Sequence, residues 1–368
     1  MPSEPAEIGS EFHWDPAALV GDDRGGLPGW VPRRRELFAT GCGALAAVVR
    51  RLAPDGRLHV PSYFCLGVAE ALARIVPIAF YRQLPDGRGP RWETLRARRG
   101  DVVLAQNLFG WDAPEPWHAW IRGHPGIPVI EDHSHDPFGP WARNSTAAYV
   151  VASLRKTLPV PDGGLLWSPV GRELPAPDGA ESPGAARKLA AMLLKSGWLD
   201  GRPVPKQSFR ALQRAGEQEL LGSTGPASTF TRAVLPMLDV PGVRAASSRN
   251  ARALRNALDG RTGEVKVLWF SRVAADAAPF RLQLLAPSET DRDALLAHLA
   301  RNRIYAPVHW RQDRRGWWSG DAEAAALADR ALTLPVDHRC SSGDVFRMAE
   351  VVTSQTSRES RSGHIIRA

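Results

Sequence analysis

The feature that most limits how this 368-residue chain can fold is a regular alternation of short apolar segments with amphipathic segments over residues 41–167. One helical pattern begins at Gly41, and another runs from Gly67 to Ile75 before Pro77 ends it. Apolar segments typical of buried strands lie at residues 57–61, 78–81, 101–105, 128–132, 149–153 and 164–167. This order predicts a doubly wound α/β domain, in which ligands bind beyond the carboxyl ends of the strands.

The C-terminal part of the chain has a different pattern. Two strands, near residues 265–270 and 280–285, are followed by a helix at 290–301 and a last helix at 342–352. The rest of the chain, residues 353–368, is rich in Ser and Arg and is predicted to be disordered. We therefore predict a large α/β domain with an N-terminal arm over residues 1–240, a smaller α+β domain over 241–352, and a disordered tail over 353–368.

Composition makes several classes of protein improbable. The net charge of +8 is spread along the chain, and the basic runs Arg33–Arg35 and Arg314–Arg315 are short, so we expect no nucleic-acid surface. The three cysteines form no CxxC pair, which argues for a reducing compartment and against a disulfide scaffold or a cysteine-based zinc site. Without a signal-peptide pattern or a membrane-length apolar run, a cytoplasmic protein is expected.

Lysine is rare, and the position of one lysine indicates a kind of chemistry. Only five of the 47 basic residues are lysines, and Lys156 precedes an Asp162-Gly163-Gly164 turn, 24 positions after Asp132. A loop lysine can hold an aldehyde cofactor as a Schiff base, and an upstream carboxylate can hold the ring nitrogen of that cofactor. Alone, the lysine could be a surface residue and the aspartate a turn cap. Together they favour pyridoxal 5'-phosphate (PLP).

A phosphate site is predicted at the first helix. Gly41, Cys42 and Gly43 stand at its N-terminus, where backbone N–H groups and the positive end of the helix dipole attract anions. Ser153, three residues before Lys156, could add a hydroxyl to the same phosphate.

A metal site is an alternative interpretation of the segment that contains Asp132. Two histidines, His133 and His135, stand among the carboxylates of Glu131, Asp132 and Asp136, and such a group could ligate a divalent ion in a metal hydrolase. The sequence supplies no compact second ligand cluster, and a metal would leave the lysine loop unexplained. We therefore predict no metal.

The order and spacing of these segments resemble the DegT-type sugar aminotransferases, which are PLP enzymes of fold type I. The resemblance covers residues 35–168 well and 300–352 moderately. The segments that carry it are Gly41-Cys42-Gly43-Ala44-Leu45, Val60-Pro61-Ser62-Tyr63, Asn107-Leu108-Phe109-Gly110, Val129-Ile130-Glu131-Asp132, and Lys156 with Asp162-Gly163-Gly164.

The resemblance implies roles for single residues. Lys156 would bind the cofactor covalently, Asp132 would hold the pyridine nitrogen, and Gly41, Cys42 and Gly43 would bind the phosphate. His135 takes the place of a family glutamine that contacts the phenolic oxygen of the cofactor. An imidazole there could also change its charge near neutral pH.

Three departures from the family pattern concern the cofactor. The family serine that binds phosphate falls at Val151, so Ser153 is its candidate replacement. Cys42 replaces the family Thr or Ser after the first glycine, which leaves only backbone contacts there. The aromatic residue that stacks on the ring falls at Cys65, so that Tyr63 or Phe64 takes this role or no residue does.

The implied activity is transfer of an amino group from an amino acid donor, expected to be glutamate, to a keto acceptor. The family acceptor is a nucleotide-linked ketosugar, and a homodimer with interfacial active sites is implied. Retention of Lys156 argues against the family's dehydratase branch. Alternatives are amination of a non-sugar ketone or aldehyde, and a non-catalytic PLP-fold protein. The acceptor pocket could include His309, Trp310, Trp317 and Trp318.

Overall fold

The computed structural model describes residues 7–20, 25–52, 54–268 and 276–365. The strands in these ranges are β1 (Ile8–Gly9), β2 (Arg35–Phe38), β3 (Leu58–Pro61), β4 (Ile78–Tyr81), β5 (Val102–Gln106), β6 (Val129–Asp132), β7 (Tyr149–Ser153), β8 (Gly164–Trp167), β9 (Lys266–Leu268), β10 (Arg281–Leu285), β11 (Ile304–Tyr305) and β12 (Ala331–Pro335). The predicted strand at 265–270 is thus β9 as far as Leu268, and its last two residues lie outside the described ranges.

The α-helices are α1 (Gly41–Leu52), α2 (Leu66–Ala73), α3 (Glu115–Gly123), α4 (Pro140–Arg143), α5 (Pro183–Leu199), α6 (Lys206–Leu221), α7 (Thr229–Val234), α8 (Val240–Leu258), α9 (Glu289–Arg301), α10 (Ala322–Arg330) and α11 (Ser342–Ile365). None of the helices in the described ranges is long and apolar enough to cross a membrane.

A seven-stranded sheet forms the centre of the large α/β part. Its order is β2-β8-β7-β6-β5-β3-β4, and only β8 runs antiparallel to its neighbours. Every residue of β5 and β7 is buried, which explains why these strands are continuous apolar runs in the sequence. The doubly wound sheet predicted from the sequence is confirmed. Its parallel strands end at one edge, and the polar residues that follow them meet there.

Helices cover both faces of this sheet. The buried side of α1, including Leu45, Val48 and Val49, packs against one face. Trp117 of α3 and Trp141 of α4 lie in the apolar cluster on the other face. The start of α1 is therefore held at the end of β2, next to the carboxyl ends of the parallel strands.

The smaller α+β part contains the antiparallel sheet β12-β10-β9, which packs against α8, α9 and α10, while α11 packs against α8 and α9. Helix α8 contributes to both parts of the molecule. Its first turn places Val240 and Val243 in a cluster with strands of the large sheet, and Leu254 and Leu258 lie in the core of the smaller part. The division at residues 240 and 241 remains a prediction, and it falls at the first residue of this shared helix.

The expectation of a disordered tail over 353–368 is wrong for residues 353–365, because α11 continues to Ile365. Residues 366–368 lie outside the described ranges. Val345, Met348 and Val352 anchor the first half of α11 in the core. Extending an existing helix costs far less than starting one, and the Arg, Glu and Gln residues of this segment are good helix formers.

Candidate active site

Asp132 and Ser153 end the neighbouring parallel strands β6 and β7, and Ser134 connects them. The backbone N–H of Ser134 donates to Oδ1 of Asp132 at 2.9 Å, and the Ser134 hydroxyl accepts the N–H of Ser153 at 2.9 Å. The other carboxylate oxygen of Asp132, Oδ2, makes no hydrogen bond to any residue that the structure describes. A nearly buried carboxylate with one free oxygen is suited to a cationic or N–H donor ligand.

Glu131 and His133 lie on the opposite side of this strand end. His133 Nε2 is 2.9 Å from Oε2 of Glu131, both side chains are fully buried, and the histidine ring packs edge-on against Trp141. Asp136 is also occupied, because Arg244 and the N–H of Ala278 bind its carboxylate. No group of three or more His, Cys, Asp or Glu side chains within the described ranges could hold a metal ion.

His135 is the histidine of this segment that has an unused polar atom. Its Nδ1 accepts the backbone N–H of Phe109 at 3.0 Å, whereas its Nε2 is buried without a hydrogen-bond partner. The ring lies parallel to Phe280, with 4.9 Å between the ring centroids, and stacks on Trp310 at 5.6 Å. A neutral imidazole whose Nδ1 accepts carries its proton on Nε2.

Burial, and secondarily the nearby charge of Lys156, holds the pKa of His135 well below its usual value. The expectation that this imidazole changes charge near neutral pH is therefore wrong, because an aromatic cluster excludes the water that would stabilise the imidazolium. His135 is a neutral hydrogen-bond donor in this site.

The three residues of the predicted phosphate cradle differ in the state of their backbone N–H groups. The N–H of Gly43 is taken by the Thr40 hydroxyl at 2.9 Å, so Gly43 is not a free donor. Its lack of a side chain has a packing reason, because a Cβ there would lie 2.4 Å from the carbonyl oxygen of Ser223. Among the described residues, the N–H groups of Gly41 and Cys42 donate to no side chain or loop carbonyl, so they are available to an anion.

Gly41 also brings the start of α1 against the end of β7. A Cβ at Gly41 would lie 3.1 Å from Cβ of Ser153, so the helix start and the serine are in close contact. The Ser153 hydroxyl makes no hydrogen bond to any described residue. Val151, where the family serine falls, lies in the apolar cluster under α1. Ser153 is therefore the hydroxyl nearest to the helix start on this strand.

Lys156 ends a single helical turn, Leu154–Lys156, directly after β7. The loop that follows is fixed at both sides. The N–H of Leu154 donates to Gly163 O at 2.9 Å, and Asp162 accepts from the backbone N–H and the hydroxyl of Ser228, each at 2.7 Å. Asp162 thus has a structural role. Lys156 itself is partly exposed and lines a cavity of about 780 Å³.

The segment at the start of α2 provides no aromatic ring for stacking on a cofactor. Tyr63 is fully buried, and its hydroxyl donates to the carbonyl oxygen of His309. Phe64 belongs to the apolar cluster of the large sheet. Cys65, which caps α2, is left at the position where the family has its aromatic residue. Burial, together with the nearby Cys65 and Asp132, raises the pKa of the Cys42 thiol to about 11, so these residues are close neighbours.

Of the four aromatic residues predicted for the acceptor pocket, none lines the cavity next to Lys156. His309 and Trp310 belong to the aromatic cluster around His135. Trp317 packs on Phe80 and is 41% exposed.

The cavity has a volume of about 780 Å³ and lies between the N-terminal arm, helices α5 and α6, the lysine loop, and the start of β10. Arg155 forms a bidentate ion pair with Glu217 at 2.8 and 2.7 Å, and Lys188 is 3.0 Å from the same carboxylate. Burial would raise the pKa of Glu217, but Arg155 and Lys188 lower it to about 2. The sequence analysis missed these residues, and also Arg281 in the same wall, because no local motif marks them.

Comparison with solved structures identifies known proteins that have a similar fold. Spr1654 from Streptococcus pneumoniae, assigned as a sugar aminotransferase and solved in its PLP form, superposes with a TM-score of 0.67 at 11% identity, over 96% of this chain and 99% of that one. DesI, solved in the presence of its TDP-sugar product, gives 0.61 at 17% identity over 91% and 84%. 3-Amino-5-hydroxybenzoic acid synthase gives 0.59 at 14% identity over 88% and 86%.

The chain therefore has the fold of the PLP-dependent aminotransferases of fold type I, as the sequence resemblance implied. Neither protein-family models nor curated protein sequences give a match.

Proposed function

We propose that this protein is a PLP-dependent aminotransferase. The proposal rests on three groups at the carboxyl edge of the large sheet: the amine of Lys156, and Oδ2 of Asp132 and Nε2 of His135, which have no hydrogen-bond partner among the described residues. Lys156 is close enough to His135 for its charge to lower the pKa of the imidazole. Burying a histidine N–H without a partner costs free energy unless a ligand accepts a hydrogen bond from it. The cofactor that this fold binds in its structural neighbours has one group for each of these positions.

The residues present fit that cofactor. Asp132 would hold the ring nitrogen, His135 would donate from Nε2 to the phenolic oxygen, and Lys156 would bind the aldehyde carbon covalently. The N–H groups of Gly41 and Cys42 and the hydroxyl of Ser153 would bind the phosphate. Since the N–H of Gly43 already donates to the Thr40 hydroxyl, the phosphate would have fewer backbone contacts than the sequence predicted.

When bound, PLP supplies an aldehyde and a ring that withdraws electrons from the substrate carbon. The chain's own residues have separate tasks. Asp132, as a carboxylate, keeps a proton on the nitrogen that it binds. Once its amine is free, Lys156 could take a proton from the α-carbon of the amino donor and give it to the former aldehyde carbon of the cofactor. The aromatic cluster with Phe280 and Trp310 keeps water away from His135.

The substrates are proposed from the volume of the cavity and from two structural neighbours. An amino acid donor, with glutamate as first candidate, would transfer its amino group to a keto acceptor. The cavity of about 780 Å³ is within the usual range for small-molecule sites. A nucleotide-linked ketosugar is the first candidate acceptor, because one neighbour was solved with a TDP-sugar. A non-sugar ketone is the second, because another neighbour is named for an aminohydroxybenzoic acid product. We also propose a homodimer, which sedimentation analysis would test.

The test of the activity is spectroscopic. Purified protein incubated with PLP and dialysed should keep a visible absorption band, and L-glutamate should convert that band while equimolar 2-oxoglutarate is formed. A variant in which His298 is changed to Gln serves as a control, because this residue lies on α9 outside the site. Cofactor retention without amino-group transfer to any keto acid would support a non-catalytic PLP-fold protein. A colourless protein after incubation would refute the proposal.

A further inference from the structure

The short turn Leu154–Lys156 is tied to helix α6 by the side chain of Arg155, the residue directly before Lys156. The two Nη atoms of Arg155 donate to the two carboxylate oxygens of Glu217, at 2.8 and 2.7 Å. Two parallel charge-assisted hydrogen bonds fix the direction of a side chain as well as its distance. The Arg155 side chain is therefore held toward α6.

The hydrogen bonds within the lysine loop hold the first residue of this turn. The N–H of Leu154 donates to Gly163 O at 2.9 Å, and the N–H groups of Thr157 and Leu158 donate to Leu154 O at 3.1 and 2.9 Å. The side chain of Leu154 is fully buried. The contact between Arg155 and α6 adds a second fixed point, one residue nearer to the reactive lysine.

Glu217 carries its charge in this position. Lys188 of α5 is 3.0 Å from the same carboxylate, and it also contacts Glu11 of the N-terminal arm at 2.6 Å. Burial would raise the pKa of Glu217, but Arg155 and Lys188 lower it to about 2. The ion pair with Arg155 therefore persists at neutral pH.

This ion pair is also partly shielded from water. The side chains of Arg155 and Glu217 are 23% and 35% exposed, and Nε of Arg155 is buried. Fully exposed ion pairs contribute little to a structure, whereas removal of one partner from a shielded, bidentate pair has a measurable effect. Both residues line the cavity together with Lys156, so the effect would fall on the wall that contains the reactive amine.

We propose that Glu217 is a positioning residue, which acts through Arg155 to hold the turn that directs the amine of Lys156. The inference rests on the proposed function and adds one residue to it. The amine must lie within reach of the atoms between which it moves a proton, and a displacement of about 1 Å can slow such a step roughly 100-fold. A fixed point next to Lys156 limits such a displacement.

The first measurement is hydrogen exchange of the Thr157 and Leu158 amides in the cofactor-free protein. Glu217→Gln keeps the shape of the side chain but loses its charge, and should speed this exchange roughly tenfold. Arg155→Met breaks the same contact from the side of the turn and should have the same effect. In the Arg155→Met background, Glu217→Gln should change the exchange by less than about twofold, because the two residues act as one unit.

Glu219→Gln is the matched control. Glu219 lies two residues after Glu217 on α6, and Nε of Arg187 on α5 donates to both of its oxygens at 2.9 Å. The substitution thus breaks an ion pair of the same kind between α5 and α6, without a contact to the lysine turn. It should change the exchange of Thr157 and Leu158 by less than about twofold.

The second measurement is the glutamate half-reaction of the PLP-treated protein. Glu217→Gln should lower its maximal rate roughly tenfold and leave the dissociation constant of glutamate within about threefold of wild type, because the amine is displaced and glutamate binding is not. A merely structural role would lower the thermal midpoint without this separation of rate from binding.

Three results would overturn the proposal. One is unchanged exchange in both Glu217→Gln and Arg155→Met, and another is an equal response to Glu219→Gln. The third is weaker glutamate binding with an unchanged maximal rate, which would assign Glu217 to the substrate. Exchange is measured without the cofactor. A protein that fails to retain PLP would therefore refute the proposed function, while the exchange data would still decide whether Glu217 holds the turn.

Discussion

The backbone N–H of Phe109 donates to Nδ1 of His135, and this contact fixes which nitrogen of the imidazole carries the proton. Phe109 has a φ of 52°, a conformation uncommon for a residue with a side chain. The left-handed turn directs its N–H toward the histidine. His135 consequently presents an N–H, and not a lone pair, at the position where the family has a glutamine amide.

The hydrogen bond from His135 leads to a prediction about cofactor affinity. His135→Leu, which removes the donor, should weaken PLP binding roughly tenfold, the usual effect of losing a hydrogen bond to a charged oxygen. His135→Gln, which can donate from its amide, should bind PLP within about threefold of wild type. Absorbance titration with PLP measures both. Because His135 stays neutral, wild type and His135→Gln should also share the pH midpoint of the visible spectrum, and a clear shift would show that the histidine titrates.

Asp132 and Asp136 provide a matched pair of carboxylates, one with a free oxygen and one bound by Arg244. Asp132→Asn should leave the thermal midpoint almost unchanged but slow the glutamate half-reaction at least 100-fold, because an amide does not keep the ring nitrogen protonated. Asp136→Asn should have the opposite effects, with an almost unchanged half-reaction rate and a stability loss of roughly 1 to 3 kcal/mol, because the partly exposed Arg244 loses its carboxylate partner. Half-reaction rates and thermal melts separate them. An unchanged rate for Asp132→Asn would assign that residue a structural role only.

Lys156 should be the residue that binds PLP covalently. Borohydride reduction of the PLP-treated protein should fix the cofactor on the peptide that contains Lys156, and Lys156→Ala should remove the adduct. The other lysines are Lys188, Lys195, Lys206 and Lys266. Lys195 is the best internal control, because burial lowers its pKa to about 8 while its amine donates to the Ser10 hydroxyl and the Glu11 carbonyl oxygen. Peptide mapping that places the label on any of these four would contradict the assignment.

Asp112 should make stability depend on pH. Burial raises its pKa to about 7, although Gln83 Nε2 donates to its carboxylate at 3.0 Å. Because the pKa of Asp112 is higher in the folded state than in the unfolded chain, its ionisation opposes folding. This loss of stability is absent below the pKa of the unfolded chain, near 4, and complete above pH 7. Asp112→Asn should therefore stabilise the protein by an amount on the order of 1 kcal/mol more at pH 8.5 than at pH 5.5. Urea unfolding at both values tests this, and equal gains would count against it.

The sequence predicted what local patterns determine. Buried strands and their polar ends placed Asp132 and Lys156 correctly at one edge of the sheet, because the carboxyl ends of parallel strands must meet. Gly43 was interpreted as a phosphate donor, whereas a glycine is required at this position because the carbonyl oxygen of Ser223 leaves no room for a side chain. Ser223 is 180 residues away in the chain. Arg281 was missed for the same kind of reason. Whether a guanidinium is paired depends on tertiary neighbours, and no spacing within the sequence reports them.

The Gly-Gly turn after Lys156 is packed against the residue that caps α1. The N–H of Gly163 donates to Ala39 O at 2.8 Å, and a Cβ on Gly164 would lie 2.1 Å from the carbonyl oxygen of Thr40. The lysine loop and the start of α1 are therefore packed together as one unit. The opposite wall of the cavity next to Lys156 is formed by β10 and the N-terminal arm. Over evolutionary time such a chain can acquire new substrates by substitutions in that wall while the machinery for the reaction stays unaltered.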